Sequence, residues 1–187
     1  MNREIIASIE AEFRRYRALA EGTFRQLSNE ELYRLPEGEG NSIAVLARHI
    51  GGNFRSRFTD FLTSDGEKEW RDRESEFTPP GETREEMLAF WDGGWDTLER
   101  SLSELSDADL MRDVTVRGVR LSVAEALHRS LAHMSYHVGQ IVFHAKALRG
   151  NSWEYLSIPP GGSASYNQNP TMERAKEHSA SIRKPDR

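Results

Sequence analysis

A chain of 187 residues has room for one domain with a proper core and little more. Its formal net charge of -5 gives no basic footprint for nucleic acid, and no apolar run approaches the ~20 residues of a membrane span. Cysteine is absent, which excludes disulfides, thiolate ligands and a cysteine nucleophile and leaves His, Asp and Glu as metal donors.

The N-terminus MNREIIASIEAEFRR mixes acids and bases in its first turns, unlike a signal or transit peptide, so a cytoplasmic protein is expected. Over 3–27, Ile5, Ile6, Ile9, Phe13, Tyr16, Leu19 and Phe24 recur close to a 3.6 period, which predicts a first amphipathic helix. A short turn follows Ser28 and stops at Pro36. Asn41 or Ser42 caps a second long helix over 42–63, with Ile43, Leu46, Ile50, Phe54, Phe58 and Phe61 on its inner stripe. The stretch TSDGEKEWRDRESEFTPPG is charged and aperiodic, a connection long enough to be functional or to cross the bundle.

Thr83 and Glu86 form a capping box that opens a third helix running through Leu105. Gly93-Gly94 in its middle costs roughly 1 kcal/mol per glycine relative to Ala, which points to close packing or a kink. SDADL is another short turn, and DVTVRGVRLS alternates around Gly118 as a small hairpin. Ser122 caps the last long helix, 123–149, closed by Gly150. Beyond it comes SWEYLSIPPGGSASYNQNP, rich in Gly, Pro, Ser and Asn, whose IPPGG segment reads as a flexible exit or as a lid over the open end, and the tail from Thr171 starts as a helix and frays. The pattern predicts an all-α fold: an up-down-down-up four-helix bundle with a small hairpin before the last long helix. The domain is expected over 1–168 and a polar C-terminal tail over 169–187.

The last helix carries LAHMSYHVGQIVFHAK, residues 131–146. His133 and His137 are one turn apart on one face, beside the main apolar stripe. His144 continues that row, but ~10 Å further along the axis by helix rise, too far for the same ion. His49 holds a comparable place on the second helix, in a row with Asn53. A pair at i and i+4 plus a third imidazole from a neighbouring helix makes a facial set that leaves positions open for water or substrate. The competing reading is a set of hydrogen-bonded core histidines. The pair is also not H-E-x-x-H, because Met134 follows His133 and no general-base glutamate is supplied.

His128 and His178 read as surface residues, and His144 as a pocket or core residue. Phe54, Phe58, Phe61, Trp91 and Trp95 read as core. Tyr136 lies beside the histidine pair but points about 60° from His133 and about 100° from His137. No Ser-His-Asp triad can be assembled, and no phosphate loop is present.

Three stretches, NSIAVLARHIGGNFRSRFTDFLT, HMSYHVGQIVFHAK and SWEYLSIPPGGSASYN, resemble the DinB-like (YfiT-like) superfamily of small bacterial metal-binding proteins, in particular its uncharacterised branch. The resemblance runs from the first helix to about Asn167. It implies the four-helix bundle, usually as a homodimer, with a divalent ion, commonly zinc or nickel, on three histidines. Carried over, those ligands are His49, His133 and His137, whereas position 144 is generally apolar or variable in the family. Gln140 matches the motif's glutamine, and Gln140, Tyr136 and Asn53 are the candidates for steadying a ligand or lining a pocket. Activities in the superfamily are mostly transfers or isomerisations with a low-molecular-weight thiol such as mycothiol or bacillithiol, and many members are described as metal-dependent hydrolases. The expectation is therefore a metal-dependent S-transferase or hydrolase acting on a small molecule, with catalytic side chains unassigned. The alternatives are a non-catalytic metal-binding or stress-associated homodimeric bundle and a purely structural bundle.

Overall fold

Helix starts in this chain are set by side chains that take the first free backbone N–H groups. The computed structural model describes residues 2–78 and 81–183. In α1 (Glu4–Phe24) the donors of Ile5 and Ile6 are captured by the Asp107 carboxylate at 3.1 and 3.0 Å. Reciprocal Ser28–Glu31 bonds open the short α2 (Asn29–Tyr33), and Ser42 accepts from the Val45 N–H to open α3 (Ile43–Phe58). The expected Thr83–Glu86 box opens α4 (Arg84–Ser103).

The hairpin is also present. β1 (Asp113–Val116) and β2 (Val119–Ser122) pair antiparallel, with Val114 opposite Leu121. Its two turn residues, Arg117 and Gly118, have φ of 54° and 73°, as a type I′ turn requires. A Ser122–Glu125 box then opens α5 (Val123–Arg149), and Gly150 ends it with φ 51°. The fold is all-α with this one small sheet among the described residues. None of the described helices is long and apolar enough to cross a membrane.

The core lies where α1, α3, α4 and α5 turn their apolar stripes together. Phe54 sits 5.0 Å from Trp95, Trp95 5.5 Å from Trp91, and Phe13 5.8 Å from Phe54, ring centre to ring centre. These rings are fully buried packing elements, each contributing ~1.5–3 kcal/mol or more by leaving water. Arg3 at the start of α1 reaches the Leu105 and Leu102 carbonyls at the end of α4, at 2.7 and 2.9 Å. Arg84 at the start of α4 reaches the Phe24 and Leu27 carbonyls at the end of α1. The double glycine of α4 marks close packing: a Cβ on Gly94 would stand 2.6 Å from Gly51 Cα on α3, whereas Gly93 faces open space.

α3 is shorter than its apolar pattern predicts. Thr59 leaves the helix in an extended conformation, its hydroxyl bonded to the Arg55 carbonyl at 2.7 Å, and Asp60 turns left-handed at φ 49°. The reversal lets the link run back along α3, where Ser56 donates to the Gly66 carbonyl at 2.8 Å, while Phe61 still reaches the core.

The segment after α5 is anchored ahead of its IPPGG run, which is mostly exposed and does not line the cavity of the site described below. Trp153 is buried, the Glu154 N–H donates to Gln26 at 2.8 Å, and Leu156 seats over Gly22 of α1. After the short α6 (Ser163–Tyr166), the tail forms α7 (Ala175–Arg183) against α1. His178, expected at the surface, is only 5% exposed. Its Nδ1 accepts from Arg15 at 3.0 Å and its Nε2 donates to the Leu156 carbonyl at 2.8 Å. The reason is that Ala175, His178, Ser179 and Ile182 fall on one i, i+3, i+4, i+7 face, which turns inward.

Candidate metal centre

Spacing of four residues on α5 sets the rings of His133 and His137 edge to face, and their Nε2 atoms stand 3.2 Å apart. From α3, His49 brings its own Nε2 to 3.2 Å from the same His133 atom. The three histidines offer nitrogens that all lie within 4.8 Å of one another. His49 and His137 are buried at 4% and 8% exposure, and His133 is half-buried at the wall of a cavity.

The far side of each ring explains why these nitrogens converge. His49 Nδ1–H donates to Glu76 Oε2 at 2.9 Å, and His137 Nδ1–H donates to Gln140 Oε1 at 2.8 Å. These tautomers are assigned from the acceptors on the Nδ1 side. Each bond leaves a lone pair on Nε2 aimed at His133. A proton on His133 Nε2 satisfies one of those lone pairs and leaves the other facing nitrogen. A cation among the three satisfies all of them. Nitrogens held ~2.0–2.1 Å from one ion stand roughly 2.9–3.4 Å apart at octahedral to tetrahedral angles, and both 3.2 Å separations fall in that range. The residues therefore fit a divalent ion and could hold one.

Electrostatics keep the rings in the form a metal needs. Burial, then the neighbouring His137 and His49 and the charges of Arg129 and Arg57, push the His133 pKa down to about 3. His137 is also lowered, by burial first, although its bond to Gln140 works the other way. Both are neutral imidazoles at pH 7, the ligand form.

Glu76 is the functional residue that sequence reasoning missed. It arrives on the long link, in the short turn Glu74–Glu76, and is 3% exposed. Arg71 clamps it with Nε to Oε1 at 2.8 Å and Nη2 to Oε2 at 3.0 Å. Burial works to raise the Glu76 pKa, but the bonds from His49 and Arg71 outweigh it and the net shift is downward, so the carboxylate is ionised. Room for it exists because residue 52 is glycine: a Cβ there would stand 2.2 Å from Glu76 Oε1. Phe77 then covers His49, ring centres 4.8 Å apart. The signal that points to this neighbour is Gly51-Gly52, two glycines inside a helix directly after a candidate ligand.

The other candidates separate clearly. Asn53, one turn past His49, is 9% exposed and lines the cavity with His49 and His133. Gln140 orients His137. Tyr136 is exposed, its ring 4.4 Å from His137 and its hydroxyl 3.4 Å from Gln140 Nε2, so it braces the outer side and does not line the cavity. His144 is buried away from the cluster, and neither ring nitrogen meets a partner among the described residues. His128 is exposed, as expected.

A helical protein with three imidazoles aimed at one point, each of the two buried ones oriented from behind, belongs to the class with a preformed site able to take a metal. Over residues 1–162 the chain matches the family described as "Protein of unknown function (DUF1572)", and it is a member of that family. Searches of curated proteins and of solved structures found no match.

Proposed function

We propose that this protein is a DinB-like metal-dependent enzyme in which His49, His133 and His137 hold one divalent ion, zinc or nickel. Its substrates in this reading are a small electrophile and either a low-molecular-weight thiol or water. The observation that carries the proposal is the convergence of the histidine Nε2 atoms, with His133 at 3.2 Å from both partners. A divalent ion there supplies Lewis acidity, which lowers the pKa of a water or thiol it holds toward neutrality.

The chain's own residues supply the rest. Glu76, fixed by Arg71, holds the His49 ring in one orientation and tautomer, and Gln140 does the same for His137. Phe77 shields one side of His49 from water. A cavity of about 390 Å³ meets the trio at His49 and His133, so one side stays open to a small molecule. That opening favours catalysis over a closed structural site. With no cysteine in the chain, a thiol nucleophile comes from outside.

The reading includes the up-down-down-up order of α1, α3, α4 and α5, supported by the start-to-end pairing of α1 with α4. It also includes a homodimer, supported by Tyr136 and Phe143, which are 59% and 77% exposed along the outside of α5.

Metal analysis of untagged protein tests the core of the proposal. Stoichiometric metal in the wild type that is lost in His137→Ala supports it, and no metal in either protein ends it. Transfer of several thiols to chlorodinitrobenzene, together with ester hydrolysis, tests catalysis. A metal-loaded protein inactive in every assay is a binding protein instead.

A further inference from the structure

The cavity beside the histidines carries a charge that neither metal binding nor folding accounts for. Its wall includes Arg57, Arg71, Arg73, Arg117 and Arg129, and no carboxylate lines it among the described residues, in a chain whose net charge is -5. Two carboxylates sit behind the wall. Glu67 meets Arg57 at 3.0 Å and Arg117 at 2.9 Å, and Glu76 meets Arg71 at 2.8 Å. They immobilise the buried arginines, and with Glu74 beside Arg73 and Asp65 behind the Arg117 turn four carboxylates stand against five guanidinium groups, an excess of one positive charge.

The excess falls on Arg129, and the rim arginines keep further N–H donors for a ligand. Among the described residues Arg129 has no carboxylate within 4.0 Å, and it stands one turn before His133 on the same face of α5. Arg73 has one carboxylate partner among the described residues, its neighbour Glu74 at 3.2 Å with a side chain 86% exposed, and its guanidinium lies 4.8 Å from the Phe77 ring centre. Arg117 is held in a left-handed conformation, φ 54°, at the hairpin turn, where the Asp65 carboxylate accepts from its N–H and from that of Gly118, both at 2.8 Å. A non-glycine residue there is conformationally costly, and the clamp fixes it at the cavity rim.

Two uncharged donors complete the wall. Asn53 and Ser130 are 9% and 8% exposed, and among the described residues neither side chain makes a hydrogen bond. Their polar atoms are open to the cavity, so each can bond a ligand or water there.

We propose that this cavity binds a small organic anion, gripped by Arg129, Arg117 and Arg73 and completed by Asn53 and Ser130. Planar guanidinium groups recognise carboxylate and phosphate oxygens in the same bidentate way. The ligand's other end faces His49 and His133, so its role as substrate rests on the metal-enzyme reading above. Binding itself does not.

The test is calorimetry on the metal-free full chain at pH 7.5 and low ionic strength, with succinate and inorganic phosphate as probes and succinamide as the neutral control. Saturable binding of either anion, with none of succinamide, is the expected result, and the anion that binds identifies the head group. Arg129→Gln raises its Kd about tenfold, the loss expected for one charge-assisted bond. Arg129 lies on the exposed side of α5, and circular dichroism confirms that the variant is folded; Arg73→Gln serves as the second variant. Binding of neither anion by the wild type, or an unchanged Kd in both variants, overturns the proposal. His137→Ala separates the two readings: anion binding retained without metal supports the cavity alone, and metal binding without anion binding removes it.

Discussion

His137 and His144 lie on the same face of α5, two turns apart, and are buried almost equally, at 8% and 9% exposure. One has a partner on each ring nitrogen, Gln140 behind and His133 in front, and the other has none among the described residues. Burial of an imidazole therefore says nothing about ligation. The groups that fix its tautomer and the nitrogens it faces decide that.

The sharpest way to break this comparison is to exchange the two losses. His137→Ala is expected to abolish stoichiometric metal, whereas His144→Leu leaves it intact, both read by metal analysis of untagged protein. Equal loss in both variants would erase the distinction. Glu76→Gln comes next. It keeps the side-chain shape but weakens the acceptor behind His49, and metal affinity, measured by chelator competition, is expected to fall roughly 10- to 100-fold. Gly52→Ala reaches the same ring without replacing a polar group. Its Cβ would stand 2.2 Å from Glu76 Oε1, so the glutamate is pushed out and affinity falls by a similar factor. Native affinity in Gly52→Ala would mean that Glu76 does not orient His49.

The smallest effect belongs to His144. Burial holds its pKa below the ordinary histidine value. The unfolded chain takes up a proton below about pH 6.5 and the folded chain does not, so this group's contribution is present above that pH and is lost as pH falls. His144→Leu is expected to flatten the decline in Tm between pH 7 and 5 and to add ~1 kcal/mol or more by removing two buried polar atoms without partners. A steeper decline in the variant would show that the ring is protonated when folded.

The molecule's two long polar connections repeat the lesson. The link after α3 and the segment after α5 both lack helical periodicity. One carries Arg71 and Glu76 to the back of His49, and the other anchors along α1 at Gln26 and Gly22. Periodicity reports a backbone that buries one side regularly, and neither loop does so. In the link, Glu69, Glu74 and Glu76 look alike in sequence, and only the path of the chain chooses among them. In the tail the periodicity was there: Ala175, His178, Ser179 and Ile182 share a face, but a stripe so short and polar reads as solvent-exposed until α1 is found to cover it.

By itself the sequence determined the caps, the four long helices, the hairpin turn and the one-turn spacing of His133 and His137. These are local properties, set by dihedral preferences, side-chain hydrogen bonds within four residues and the 3.6-residue repeat. His49 joined them by resemblance and by its place beside an apolar stripe. Tertiary structure alone decided that His49 Nε2 meets His133 Nε2 at 3.2 Å, that Glu76 stands behind it, and that five arginines gather on one cavity. Those outcomes depend on which helix faces pack together and how closely, and Gly51, Gly52 and Gly94 set that distance by having no side chain to hold the neighbours apart.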